Sequence, residues 1–157
     1  MMRCSSPAFA EGKPIPTKFA YRGVTGGKNI SPPIAWDDAP KEIQSFALSM
    51  VDPHPVAKNW IHWLVINIPK DVRSLREGAS PGEMPPGSRE LYNSYGEPGY
   101  GGPEPPKGSG PHPYVTTLFA LDVASIDLGA NSSLNAFNNI VTQHLLGSAK
   151  FTGLYER

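Results

Sequence analysis

The sequence predicts a mainly β protein, an antiparallel, sandwich-like fold with one helix near the C-terminal end. Three observations predict it. First, three apolar runs of strand length, Ser45–Val51, Trp60–Ile68 and Tyr114–Val123, each have proline at or just beyond one end. Second, proline and glycine are abundant, and 9 of the 18 prolines fall between Pro81 and Pro113. Third, apolar residues at helical spacing occur only once, from Leu134 onward. Strands that follow strands, with a single helix, indicate antiparallel sheets rather than alternating βαβ units.

Taken in order, residues 1–14 read as a flexible lead-in, and 15–157 as one domain with enough chain for a core. Pro16–Tyr21 is a short strand candidate, and 22–33 is a loop. Ile34–Trp36 is a second short strand, ended by the turn composition Asp37-Asp38-Ala39-Pro40. Ser45–Val51 alternates Phe46, Leu48 and Met50 against Ala47, Ser49 and Val51, and Asp52 follows the first set before Pro53 stops the strand. Trp60–Ile68 is apolar almost throughout, the mark of a strand buried on both faces. A period of two places Trp60, His62, Leu64, Ile66 and Ile68 together. Trp36, Trp60 and Trp63 read as core.

Residues 81–113 hold nine prolines and eight glycines, which preclude a helix or a sheet interior. They form a long loop, with Tyr92, Tyr95 and Tyr100 as its anchors. In the strand that follows, Val115, Thr117, Phe119, Leu121 and Val123 make the more apolar face, and His112 and Tyr114 share the opposite one. Asn131-Ser132-Ser133 reads as a cap. Leu134, Phe137, Ile140, Val141 and Leu145 then predict a helix over 133–147, and 149–155 a last strand.

Composition narrows the function. Fourteen basic residues balance fourteen acidic ones, which argues against a nucleic-acid binder with its basic stripe. No apolar run approaches the length of a membrane span. Cys4 is the only cysteine, so no intramolecular disulfide forms. Ala8-Phe9-Ala10 is like a signal-peptide cleavage site, but no apolar stretch precedes it, and a cytoplasmic location is expected.

The candidates for chemistry are Asp52, His62, His112 and Tyr114. Imidazoles and a phenol donate hydrogen bonds to an anion, and a neighbouring carboxylate sets the ring tautomer. Glycine N–H groups at Gly99, Gly101 or Gly102 can add donors. Donor imidazoles of this kind would lose an anion as the pH rises past about 6 to 7. Taken alone, His62 equally fits a satisfied core histidine, and Asp52 a turn residue. His144 reads as a polar position on the helix. Asp52, His62 and His112 could make a two-histidine, one-carboxylate metal set, but local ligand spacing is absent. Gly108-Ser109-Gly110 falls short of a G-x-S-x-G nucleophile turn.

Several segments together resemble the phosphatidylethanolamine-binding protein family, in its bacterial and archaeal Raf-kinase-inhibitor-like (YbhB/YbcL-type) branch. They are Asn29-Ile30-Ser31-Pro32-Pro33 with Trp36, Val51-Asp52-Pro53-His54-Pro55, Trp60-Ile61-His62-Trp63 with Asn67-Ile68-Pro69, and Gly99-Tyr100-Gly101-Gly102-Pro103 through His112-Pro113-Tyr114. The resemblance spans about Ile15 to Tyr155. It implies a β-sandwich-like fold with a small surface pocket for phosphate-like groups, phospholipid head groups included. It places ligand binding on Asp52, His62, Gly102, Pro103, Pro105, His112 and Tyr114, with no cofactor and no metal. The family's second carboxylate is replaced here by His54, and homodimers are common among prokaryotic members. The expected function is therefore binding of a small anionic ligand without catalysis. A protein inhibitor of a serine protease or kinase, presenting the 81–113 loop, is the alternative. A metal-assisted hydrolase using Asp52, His62 and His112 is a remote third.

Overall fold

The computed structural model describes all 157 residues. Eight strands and one α-helix follow in the order β1 (Arg3–Ser5), β2 (Ile34–Asp37), β3 (Ser45–Asp52), β4 (Trp60–Pro69), β5 (Ser74–Leu75), β6 (Arg89–Glu90), β7 (His112–Leu121), α1 (Leu134–Gln143) and β8 (Leu145–Tyr155). They form two antiparallel sheets, a small one ordered β1-β2-β5 and a large one ordered β6-β4-β3-β7-β8. The fold is the expected one, mostly β with a C-terminal helix.

Each face of the large sheet buries its own apolar layer. Phe46, Leu48 and Met50 of β3, Trp63 and Val65 of β4, and Leu118 and Ala120 of β7 pack with Ile34, Trp36 and Leu75 of the small sheet. The Trp36 and Phe46 rings meet edge-on at 5.3 Å. On the other face Ala47, Leu64, Ile66 and Leu121 meet Phe137 and Val141 of α1. Burying each large apolar side chain stabilises the fold by about 1.5–3 kcal/mol, so the layers outweigh the propensity of any one strand. Trp36 Nε1 is buried with no hydrogen-bond partner, at a cost of about 1–3 kcal/mol that the packing of its ring offsets.

Several expectations change. The lead-in carries β1, which pairs Arg3–Ser5 with Ala35–Asp37, and Met2 is buried. Cys4 lies on this strand, and burial pushes its thiol up to about 12. Pro16–Tyr21 is not a strand: Thr17–Phe19 makes a 3₁₀ turn that buries Phe19. The helix stops at Gln143 rather than 147, with Ser133 Oγ accepting from Ala136 N at its start. Leu145 and Gly147 belong instead to β8, opposite Leu121 and Ala120, because the long ladder with β7 prevails over the helical spacing. On β7 the face carrying His112, Tyr114, Thr116, Leu118 and Ala120 is the fully buried one. Val115, Thr117 and Phe119 on the other face are only half-buried.

The strict alternation expected along β4 is broken twice. Relative to β3 the register slips between Met50 and Val51 and again between Phe46 and Leu48. Asn67, at φ 60°, sits at the second slip and exchanges hydrogen bonds with Ile126. Trp63, Val65 and Ile68 therefore join one layer while Leu64 and Ile66 join the other. A bulge re-aims the side chain beside it. The first slip lies at His62, which has no β3 partner: Trp63 lies opposite Met50 and Ile61 opposite Val51.

Candidate functional site

β3 lies between β4 and β7 and runs antiparallel to both. The end of β3 therefore meets the starts of its two neighbours at one edge of the sheet. Asp52 ends β3, Trp60 and His62 begin β4, and His112 and Tyr114 begin β7. Strand β7 starts at His112, so His112 and Tyr114 point the same way. The 91–111 loop folds back over this edge. Together they enclose a cavity of about 370 Å³, lined by Asp52, Val56, Ala57, Trp60, His62, Tyr95, Glu104, Pro105, Pro106, His112 and Tyr114.

Five of the seven expected ligand residues line it: Asp52, His62, Pro105, His112 and Tyr114. Gly102 and Pro103 stand behind the wall. The Pro103 carbonyl accepts from Tyr21 N at 2.9 Å, and Gly102 N donates to Asn29 Oδ1 at 2.7 Å. A Cβ on Gly102 would run into the Phe19 carbonyl, so only glycine permits this close approach. Tyr95, Glu104, Pro106, Val56 and Ala57 line the cavity without having been singled out as ligand residues. Trp60, expected in the core, is 38% exposed on the cavity rim and meets Tyr95 edge-on. Tyr95 gave no signal beyond its aromaticity; its hydroxyl donates to the Gly102 carbonyl at 2.7 Å.

The buried polar groups divide into engaged and free. Asp52 and His112 are both almost fully buried. Asp52 Oδ1 accepts from His54 N at 2.9 Å, and Oδ2 accepts from His112 Nδ1 at 2.6 Å. His112 Nε2 lies 2.9 Å from Ser109 Oγ, whose own proton goes to the Pro106 carbonyl at 2.7 Å. A carboxylate only accepts. His112 Nδ1 thus donates to the Asp52 carboxylate, and both of its ring nitrogens are engaged within the protein. His54 stacks on its outer face, ring centroids 3.8 Å apart. The residue that departs from the family pattern buttresses the pair from behind and does not line the cavity.

His62 is the opposite case. Its Nδ1 donates to the Gly101 carbonyl at 2.7 Å. Burial outweighs the nearby Asp52 charge and pulls this imidazole down to about 4, so it is neutral at physiological pH. Its Nε2 has no protein partner and is not among the sealed, unsatisfied atoms, so it opens on the cavity as an acceptor. The Tyr114 hydroxyl is likewise held by no protein group. Burial, then the Asp52 charge, makes this phenol a weaker acid than usual, so it stays a donor. In this arrangement His112 has no free nitrogen, and His62 offers a lone pair.

The residues of the catalytic alternatives lie in this same network. Asp52, His112 and Ser109 have the composition of a hydrolase triad, but Ser109 does not line the cavity and gives its proton to Pro106. No three of the His, Cys, Asp and Glu side chains converge in a geometry that could hold a metal ion, and both His112 nitrogens are already engaged.

Comparison with known proteins supplies the remaining finding. The family model described as phosphatidylethanolamine-binding protein matches residues 5–156. A UPF0098 protein of Methanothermobacter thermautotrophicus is 40% identical over 157 residues, covering 99% of each chain. The UPF0098 protein YbhB of Escherichia coli is 38% identical over 160 residues, covering 98% of this chain and 99% of its own. Among solved structures, Escherichia coli YbcL, titled a new member of the mammalian PEBP family, superposes with a TM-score of 0.93 at 31% identity. That superposition covers 99% of this chain and 98% of YbcL.

Proposed function

The chain belongs to the phosphatidylethanolamine-binding protein family, and on that premise we propose that its pocket binds a phosphate-like group on a small ligand, without turnover. One observation carries the reading. Two polar atoms, His62 Nε2 and Tyr114 Oη, open on one small cavity while every other polar group of the Asp52–His112 network is already satisfied within the protein. A free acceptor beside a free donor suits a group that both gives and takes hydrogen bonds. The apolar rim of Val56, Ala57, Trp60, Pro105 and Pro106 suits the organic part of a phosphate ester or a phospholipid head group. Residence in the cytoplasm belongs to the same reading and is checked by cell fractionation; no helix is long and apolar enough to cross a membrane.

Isothermal titration of phenyl phosphate at pH 6 tests the reading. One saturable site is expected, weakened about five- to tenfold in Tyr114→Phe and in His62→Ala, the worth of one hydrogen bond each. Absence of binding at millimolar ligand, or binding by both variants as tight as that of the unsubstituted protein, would refute it.

A further inference from the structure

The state of His62 restricts which phosphate the pocket can take. This inference rests on the pocket reading above and narrows it. Gly101 is a carbonyl acceptor, so it holds the single proton of the neutral ring on Nδ1. What faces the ligand is then a lone pair. Around it stand Asp52 from β3, His112 and Tyr114 from β7, and Tyr95 and Glu104 from the loop, with His54 behind His112. The Asp52 carboxylate accepts from His54 N and His112 Nδ1. Glu104 lines the cavity, its carboxylate lying against Gly23, and forms none of the ion pairs of the molecule. A doubly charged phosphate would meet a lone pair beside the acidic side chains of Asp52 and Glu104, both repulsive. A diester carries one charge but no P–OH proton, and leaves Nε2 unsatisfied.

We propose that the pocket selects phosphate monoesters in their singly protonated form, the ligand's P–OH donating to His62 Nε2 while Tyr114 donates to a second phosphate oxygen, and that it discriminates against phosphodiesters. No bond is made or broken; the proton stays on the phosphate, because the buried ring is the weaker base. A monoester loses its second proton near pH 6. Above that pH the binding form is scarce, and the complex must take up a proton from solvent. The selected class includes both soluble monoesters and lipids ending in a monoester phosphate, and excludes diester head groups.

Phenyl phosphate and methyl phenyl phosphate share one apolar body, and only the first carries a P–OH. Both are titrated calorimetrically from pH 6 to 8, in buffers of different ionisation enthalpy so that protons are counted. For the monoester an affinity loss of about 50-fold over this range is expected, with uptake close to one proton per complex at pH 8. The diester is expected to bind at least about tenfold more weakly at pH 6 and to show a flat profile, which also measures what His54, His112 and Glu104 contribute. In His62→Gln an amide can donate to the dianion, so binding persists while the pH slope and proton uptake disappear. Equal affinities for the two esters, or a monoester profile that is flat, would overturn the inference while leaving the pocket standing. An unchanged slope in His62→Gln would overturn it too, by placing the proton elsewhere. Failure of both esters to bind at any pH would remove the pocket reading itself. Vesicles with monoester-phosphate lipid, set against vesicles with diester lipid only, then separate a lipid source from a soluble one.

Discussion

At the residue scale, the site depends on two histidines in opposite states. His112 is engaged at both nitrogens, by Asp52 and by Ser109; His62 is neutral because burial disfavours its cation and Gly101 needs only one proton, which leaves its second nitrogen free. Removing one member of a buried pair strands the other, at a cost of about 3–5 kcal/mol. His112→Ala is therefore expected to lose about that much in urea unfolding, and a loss under about 1 kcal/mol would mean the pair is not formed. His62 binds its proton more weakly in the fold, near 4, than in the unfolded chain, near 6.5. Its contribution is fully present above pH 6.5 and is lost as the pH falls toward 4, by an amount on the order of 3 kcal/mol. His62→Gln should flatten that acid limb; unfolding curves at pH 4.5 and 7 that shift equally in both proteins would contradict it. The four polar residues of the pocket were legible because polar groups beside apolar strands ask for an explanation. The charge state of each was not legible, since it depends on carbonyl and hydroxyl partners brought from the distant loop.

At the element scale, long strands with clear alternation were readable and short ones were not. Strands β5 and β6 have two residues each, too few for a period, and exist only because β2 and β4 offer them an edge. The register slips in β4 were equally hidden, yet one of them lies at His62. The glycine-rich segment was legible as a shaped loop, and the structure gives the reason for one of its glycines. Gly102 lies against the backbone of Phe19, Ala20 and Tyr21, and an added Cβ has no space there. Gly102→Ala is expected to cost about 1–3 kcal/mol through overpacking. Gly129→Ala, where a Cβ meets nothing closer than Ser132 Oγ at 3.9 Å, should stay within about 0.5 kcal/mol. Equal melting temperatures for the two variants would show that the loop does not press on the 17–21 segment. Leu145 shows the converse failure: its spacing from Val141 fits a helix, but the pairing of β8 with β7 decides the conformation.

At the scale of the whole molecule, two sheets and a helix hold the ends of three strands in one place, and the pocket is a product of that convergence. His112 is far in sequence from Asp52 and His62, which share one hairpin, and antiparallel order brings the three to a common edge. Such an edge is stiff, because each side chain leaves a strand whose neighbours are buried. The sequence made the mainly β class legible through its strand-length runs, and the linked motifs made the family legible. It could not reveal that Tyr95, Glu104 and Trp60 complete the wall, since loop return and rim exposure are set by tertiary packing. The central claim is that this edge is a phosphate pocket read by His62 and Tyr114. A crystal structure of the protein soaked in phenyl phosphate at pH 6 tests it most directly. The expected result is a phosphate with one oxygen about 2.6–3.0 Å from His62 Nε2 and another at similar distance from Tyr114 Oη, with the His112–Asp52 contact unchanged. A phosphate bound elsewhere, or one held by a displaced His112 while His62 Nε2 stays unpartnered, would contradict it.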